Sequence, residues 1–289
     1  MTKTTYSEAD ALKSAAGRLL TNRTRCGLPP VVYHYTSLEE ATKILDSHEM
    51  WCTNVAFSND PTEGRYGQDL IDNVCTRDPD LLFAGARKLV REDIDGYSIS
   101  FSADGDELTQ WRSYCSNGRG VAVGVDTEIL SQRTSVLFAR IEYDQAQQER
   151  LIKALLDVFR GRFLSARSSP SRQYRLAYPL TLSFIILRAM LKDPSYHSEN
   201  EYRLLDALPK PTKRRGMKFE YFSRGEFSVP YFRVDLRASG AADANQPIRE
   251  VTIGPCLDFN SAVTTLQNTR AFHERAFPIN ASRVPMRCD

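Results

Sequence analysis

Apolar positions first recur at helical spacing in "SEADALKSAAGRLLTNR". Ala9, Leu12, Ala16, Leu19 and Leu20 fall broadly on one face there, with Ser7 as the N-cap. "GLPP" ends that segment, because proline cannot continue a helix. The short apolar run "VVYHY" then reads as a strand. Ser37-Leu38-Glu39-Glu40 has the capping-box pattern and opens the helix "LEEATKILDSHE". "MWCTNV" is the next strand and "SNDPTEG" a turn, followed by helical stretches near 63–76 and 79–92.

In "GYSISFS" the period is two, with Ser98, Ser100 and Ser102 on one face. "LTQWRSYCS" reads as a short helix, and "GRGVAVGVD" and "SVLFARIEY" as strands. "DQAQQERLIKALLDVFRGRFL" is a long amphipathic helix, and "QYRLAYPLTLSFIILRAML" a second one, apolar almost all round and therefore central. "NEYRLLDAL" is a strand, and "IREVTIGPCLDFNSAVTTLQNTRAF" is strand, tight "GP" turn and helix. Helices and strands mix without strict βαβ alternation, which predicts the α+β class. The expected organisation is an N-terminal helix over residues 1–27 and a single α+β domain over residues 28–289.

Composition changes this picture little. A chain of 289 residues with 42% apolar and 26% charged residues is ordinary for a globular protein. No stretch approaches the roughly 20 apolar residues that cross a bilayer, and the N-terminus lacks an apolar signal core. The expected location is the cytoplasm, with no membrane partner. The six scattered cysteines form no C-x-x-C pair and sit at no metal spacing, so they are expected to be free thiols, and no metal is expected. The net charge of +2 identifies no partner, but two stretches carry cations without acids: Arg160 to Arg175 and Lys210 to Lys218. Both could contact nucleic acid, and solvated loops balanced by acids elsewhere explain them equally well.

Four polar clusters sit where a strand ends or a core begins. His34, with Tyr35 and Thr36, precedes a helix N-cap; it can line a pocket or satisfy a core carbonyl. Ser100 and Ser102 leave room for a ligand, or for a crowded neighbouring strand. Trp111 and Tyr114, three apart on a helix, can stack a planar ring or fill core. Glu199 and Glu201 lie two apart; on a strand both carboxylates would share a face and raise each other's pKa. The ordinary alternatives are a surface pair, or Glu201 paired with Arg203. No Walker loop, nucleophile elbow or H-E-x-x-H motif is present.

In order, "YHYTSLEEATKIL", "WCTNVAFSNDPTEG", "SISFSADGDELTQWRSYCSNGRGVAVGVD", "ENEYRLL" and "VTIGP" resemble the bacterial domain of unknown function 2971 (DUF2971) family over residues 31–269. "YHYT", "SISFS" and Glu199-x-Glu201 more distantly resemble, in order, the three separated elements of ADP-ribosyltransferases. That resemblance implies a mixed, mainly antiparallel split sheet surrounded by helices, with a helical insertion at about residues 144–192. It implies NAD as substrate, held by His34, Tyr35, Thr36, Ser100, Ser102, Trp111 and Tyr114, with Glu201 and Glu199 catalytic. It also implies a macromolecular acceptor, protein or nucleic acid, as for a toxin or phage-defence effector. Tyr35 stands where a glycine is common in that family. The alternative is a non-catalytic nucleotide-sensing or interaction module.

Overall fold

The computed structural model describes residues 11–12, 14–20, 28–58, 63–77, 94–131, 136–166, 168–209, 219–237 and 247–288. The helix expected near 79–92 and the Lys210–Lys218 stretch lie outside them. The described residues 11–12 and 14–20 are helical and make up α1, with Leu12, Ala16 and Leu20 buried on one face. Strand β1 (Val31–Ser37) runs directly into α2 (Leu38–Ser47), because the Ser37 hydroxyl accepts the Glu40 amide at 3.1 Å. His48 ends α2 in the left-handed region, φ 56°, and turns the chain into β2 (Glu49–Asn54). There follow a short 3-10 turn at Val55–Phe57, α3 (Glu63–Thr76), β3 (Ile94–Ser102), α4 (Leu108–Tyr114), β4 (Gly120–Asp126), α5 (Thr127–Ser131) and β5 (Leu137–Arg140).

Helices α6 (Gln145–Ser165) and α7 (Pro170–Arg188) separate β5 from β6 (Glu201–Pro209), with a 3-10 turn at Pro194–Glu199 leading into β6. The chain closes with β7 (Glu220–Arg224), β8 (Phe227–Asp235), β9 (Ile248–Ile253), α8 (Phe259–Gln267), α9 (Arg270–Glu274) and β10 (Ile279–Ala281). Among the described residues the ten strands join one sheet in the order β10-β9-β4-β1-β3-β2-β8-β7, with β6 on β3 and β5 on β6. Every strand pair but β10–β9 is antiparallel.

The sheet is split at β3. One edge of β3 pairs with β6 throughout, from Ile94–Pro209 to Ser102–Glu201. Two strands share the other edge: β2 takes Tyr97 and Ser98, and β1 takes Ser102. Between those contacts β1 and β2 diverge, joined at one end by α2. The α+β class with a split, mainly antiparallel sheet surrounded by helices is therefore present.

Two cores flank this sheet. One gathers Leu45 of α2, Val123 of β4, Ile99 of β3, Leu204 of β6 and Leu266 of α8. The other gathers Ala16 of α1, Ile71 of α3, Phe159 of α6, Leu187 of α7 and Leu205 of β6. Adjacent residues of β6 thus feed opposite cores, as the two-residue period requires. Pro179 is accommodated inside α7, where the Ser183 hydroxyl donates to its carbonyl at 2.8 Å. No helix of the described residues is long and apolar enough to cross a membrane.

One cysteine expectation is overturned. Cys256 and Cys288 form a disulfide rather than remaining free, their Cα atoms 5.2 Å apart. Sequence spacing gave no sign of it, because the pairing depends on the C-terminal segment folding back over the "GP" turn. Cys52, Cys75 and Cys115 are buried free thiols.

Candidate functional site

A cleft of about 660 Å³ opens where β1 and β2 diverge. Ser98 and Ser100 of β3 form its floor, flanked by residues of β1, α2 and β2, with Glu199 and Glu201 at one end. Ser98, Ser100 and Ser102 share a face as the alternation predicted. The antiparallel register puts Arg203 and Glu201 of β6 opposite Ser100 and Ser102.

His34 is fixed by the split itself. Its Nδ1 lies 2.9 Å from the Ser100 carbonyl oxygen, at the point of the β3 edge between its β2 and β1 pairings. A carbonyl only accepts, so Nδ1 carries the proton and Nε2 is left as an acceptor. Burial pushes the His34 pKa below its usual value, with the bond to Ser100 opposing the shift, which keeps the ring neutral. Both readings of His34 hold at once: it satisfies a core carbonyl and it lines the cleft.

The two glutamates meet, but not through the pleat of a strand. Glu199 ends the 3-10 turn, Asn200 adopts a left-handed conformation at φ 42°, and Glu201 begins β6. The Lys192 ammonium bridges them, in close contact with Glu199 and 3.2 Å from Glu201 Oε2. Arg203 clasps Glu201 from the other side, with Nε to Oε1 at 2.6 Å and Nη2 to Oε2 at 2.8 Å. Arg203 Nη1 also donates to the Ala189 carbonyl at 2.9 Å. All four groups are substantially buried; side-chain exposure is 12% for Glu199 and 7% or less for the others.

Burial shapes this quartet. It pushes the Glu201 carboxyl up to about 7, with Lys192 and the Ser100 hydroxyl pulling back and Glu199 adding to the rise. It also pulls the Arg203 guanidinium below the usual arginine range. The two-pronged Arg203–Glu201 contact works against both shifts, because each charge stabilises the other. For Lys192 burial favours the neutral amine, but the adjacent carboxylates outweigh it and raise its pKa.

Sequence reasoning passed over Lys192 and weighed Arg203 only as a partner that would make Glu201 ordinary. The signal for Arg203 was an arginine inside the apolar run "YRLL", where an unpaired charge could not be buried. Lys192 carried no local signal. It is set in place from a distance by Gln148 of α6, whose Nε2 donates to the Lys192 and Glu142 carbonyls at 2.7 Å while its Oε1 accepts from Tyr66 at 2.8 Å.

The remaining candidates divide. Thr36 lines the main cleft, and Tyr114, 40% exposed, lines both it and a side recess of about 60 Å³. Tyr35 and Ser102 line that recess, but their hydroxyls serve the fold. Tyr35 donates to the Asp104 carbonyl at 2.8 Å and accepts from the Glu107 amide at 3.0 Å. Ser102 donates to the Glu199 carbonyl at 3.0 Å and accepts from the Asp104 amide at 3.2 Å.

Trp111 does not reach the cleft. It is fully buried against Tyr35, and its indole N–H donates to Asp106 at 2.8 Å, so of the two α4 aromatics only Tyr114 lines the cleft. Arg160, Arg162, Arg172 and Arg175 lie on α6 and α7 and do not line the cleft.

Residues 110–204 match the family described as protein of unknown function, DUF2971. The matched segment runs from within α4 into the first half of β6, so it holds Tyr114, Lys192, Glu199, Glu201 and Arg203. His34 and the serine strand β3 precede it. No curated protein and no solved structure matches the chain.

Proposed function

We propose that the cleft binds NAD and transfers its ADP-ribosyl group to a macromolecular acceptor. One observation carries the reading: His34, Ser100, Glu199 and Glu201, far apart in sequence, surround one cleft at the split of the sheet. Its volume of about 660 Å³ suits a ligand of that size. In the reaction, the bond from ribose C1′ to the nicotinamide nitrogen breaks and its electron pair leaves with nicotinamide. Positive charge then develops on the ribose, where a preorganised carboxylate stabilises it. His34 Nε2 is the acceptor for a ribose hydroxyl. The acceptor's nucleophilic atom bonds to C1′, and its proton passes to a Glu199 oxygen.

The test is nicotinamide release from NAD by wild type, Glu201→Gln and Glu199→Gln, with cell lysate as the acceptor pool. Losing one such electrostatic contact commonly costs on the order of 100-fold in rate. Glu201→Gln is therefore expected to lower release by about that factor while NAD binding is retained. Equal release by wild type and Glu201→Gln removes Glu201 from the chemistry. Binding without release from the wild type favours a second reading, a nucleotide-sensing module. One observation supports that alternative: Arg203 already occupies both oxygens of Glu201.

A further inference from the structure

The last residues of the chain form an extended strap with a two-residue period. Ser282, Val284 and Met286 turn inward, while Arg283, Pro285 and Arg287 are exposed. The inward residues hold the support of α4 from behind. The Ser282 hydroxyl and the Arg283 amide bond the two oxygens of Asp106, at 2.5 and 2.7 Å. Asp106 also takes the Trp111 indole N–H. Val284 packs on the small core of Tyr35, Trp111, Cys115 and Ala122. Met286 and Pro255 close on Gly118, where a Cβ would lie 3.0 Å from each and φ is +81°. The strap ends at Cys288, disulfide-bonded to Cys256, and the Cys256 amide donates to the Gly118 carbonyl at 3.0 Å.

We propose that the Cys256–Cys288 disulfide is a redox latch on the cleft: oxidised, it clamps the strap against α4 and fixes Tyr114 in the cleft wall; reduced, it lets the strap and α4 loosen together. Three features carry this. The strap is short and its outward residues are exposed; apart from the disulfide it is anchored at its start, by Asp106 and by the Ser282 amide on the Ile253 carbonyl at 2.8 Å, and beyond that by the packing of Val284 and Met286. Cys288 is exposed, so a thiol reductant can reach its sulfur. Helix α4 has only seven residues and makes its indole bond and its core through groups the strap also touches. The consequence for ligand binding rests on the reading of the cleft as the ligand site.

The chemistry is ordinary thiol–disulfide exchange with a dithiol. One reductant thiolate attacks Cys288 Sγ, the S–S bond breaks, and Cys256 leaves as a thiolate. The second reductant thiol then releases Cys288 and closes the reductant's own disulfide. Two electrons and two protons pass to the protein.

Hydrogen exchange of the full chain, oxidised and after treatment with dithiothreitol, tests the latch without reference to any activity. Reduction is expected to speed exchange at least tenfold in the strap, residues 282–288, and in α4, while strands β4 and β9 stay unchanged. Cys288→Ser, kept oxidised, should reproduce the reduced pattern. A strap whose exchange does not respond to reduction overturns the latch. A strap that loosens while α4 stays protected overturns the coupling to the cleft wall, and global acceleration including β4 shows a staple for the whole fold instead. None of these outcomes depends on NAD, so failure of the transferase reading would be seen separately, in the nicotinamide-release assay.

Discussion

Arg203→Met removes the guanidinium from the buried quartet and keeps much of the side chain's length. In the wild type that group makes two bonds to Glu201, at 2.6 and 2.8 Å, and one to the Ala189 carbonyl at 2.9 Å. The variant leaves Glu201, 7% exposed, facing a single ammonium 3.2 Å away. Breaking a buried pair by removing one partner costs about 3–5 kcal/mol, because the other charge stays buried without compensation. Replacing both partners costs far less, so Arg203→Met/Glu201→Leu should be more stable than Arg203→Met alone. The pH dependence has a definite sign. Burial raises the folded Glu201 pKa from 4.5 to about 7. Within that window the native state keeps a proton that the unfolded chain has released, so this group's contribution to stability falls as pH rises and levels off above about 7. Without Arg203 the folded pKa rises further and the fall continues to higher pH. Urea unfolding at pH 6, 7 and 8 should therefore show the variant losing ground on the wild type as pH increases. A loss below about 1 kcal/mol at pH 8 would refute the account of the quartet as a mutually dependent buried pair. So would a loss equal at pH 6 and 8, or a double variant no more stable than the single one.

Three further predictions concern the cleft and the helix beside it. Burial lowers the His34 pKa from 6.5, so below about that pH the unfolded chain takes up a proton that the native ring refuses, and stability falls as pH drops; His34→Gln should flatten that part of the Tm–pH curve between pH 5 and 7, and an unchanged slope would show that His34 is not the titrating group. Trp111→Ala should cost about 3–5 kcal/mol in urea unfolding, as for other buried aromatics; Tyr114→Ala should cost less than about 1 kcal/mol, as an exposed side chain does, while weakening nucleotide binding.

The sequence made the strands around the site readable because each carries a strong local signal. The capping box at Ser37 places the end of β1, and the serine alternation places the open face of β3. Hairpin β7–β8 went unread, although Gly225 sits at its turn with φ +58° and "FSVPYFRVD" is rich in strand formers. Pro230 obscured it, since proline argues against a central strand. Trp111 was misassigned for a different reason. On a helix of seven residues, spacing alone does not say which of two aromatics turns inward; Asp106 and the C-terminal strap decide that, and neither is local to α4. Lys192 and the Cys256–Cys288 pair were invisible on the same principle, being made by contacts distant in sequence.

The quartet also bears on how the site could act. Two cations and two carboxylates sum to zero formal charge, so the cluster as it stands offers little net attraction to a developing positive charge. The carboxylates are not equivalent, however. Glu201 is held at both oxygens by Arg203, whereas Glu199 makes its close contact through one oxygen with Lys192 and is the more exposed of the two, 12% against 7%. A ribose hydroxyl can approach Glu199 without breaking a two-pronged ion pair; to reach Glu201 it must compete with Arg203. In a catalytic cleft, therefore, either Arg203 yields when the ligand enters, or Glu199 meets the ligand first and Glu201 serves by holding Lys192 in place. The comparison of Glu199→Gln with Glu201→Gln in nicotinamide release separates these arrangements, because only the first makes the charge of Glu201 indispensable to the chemical step.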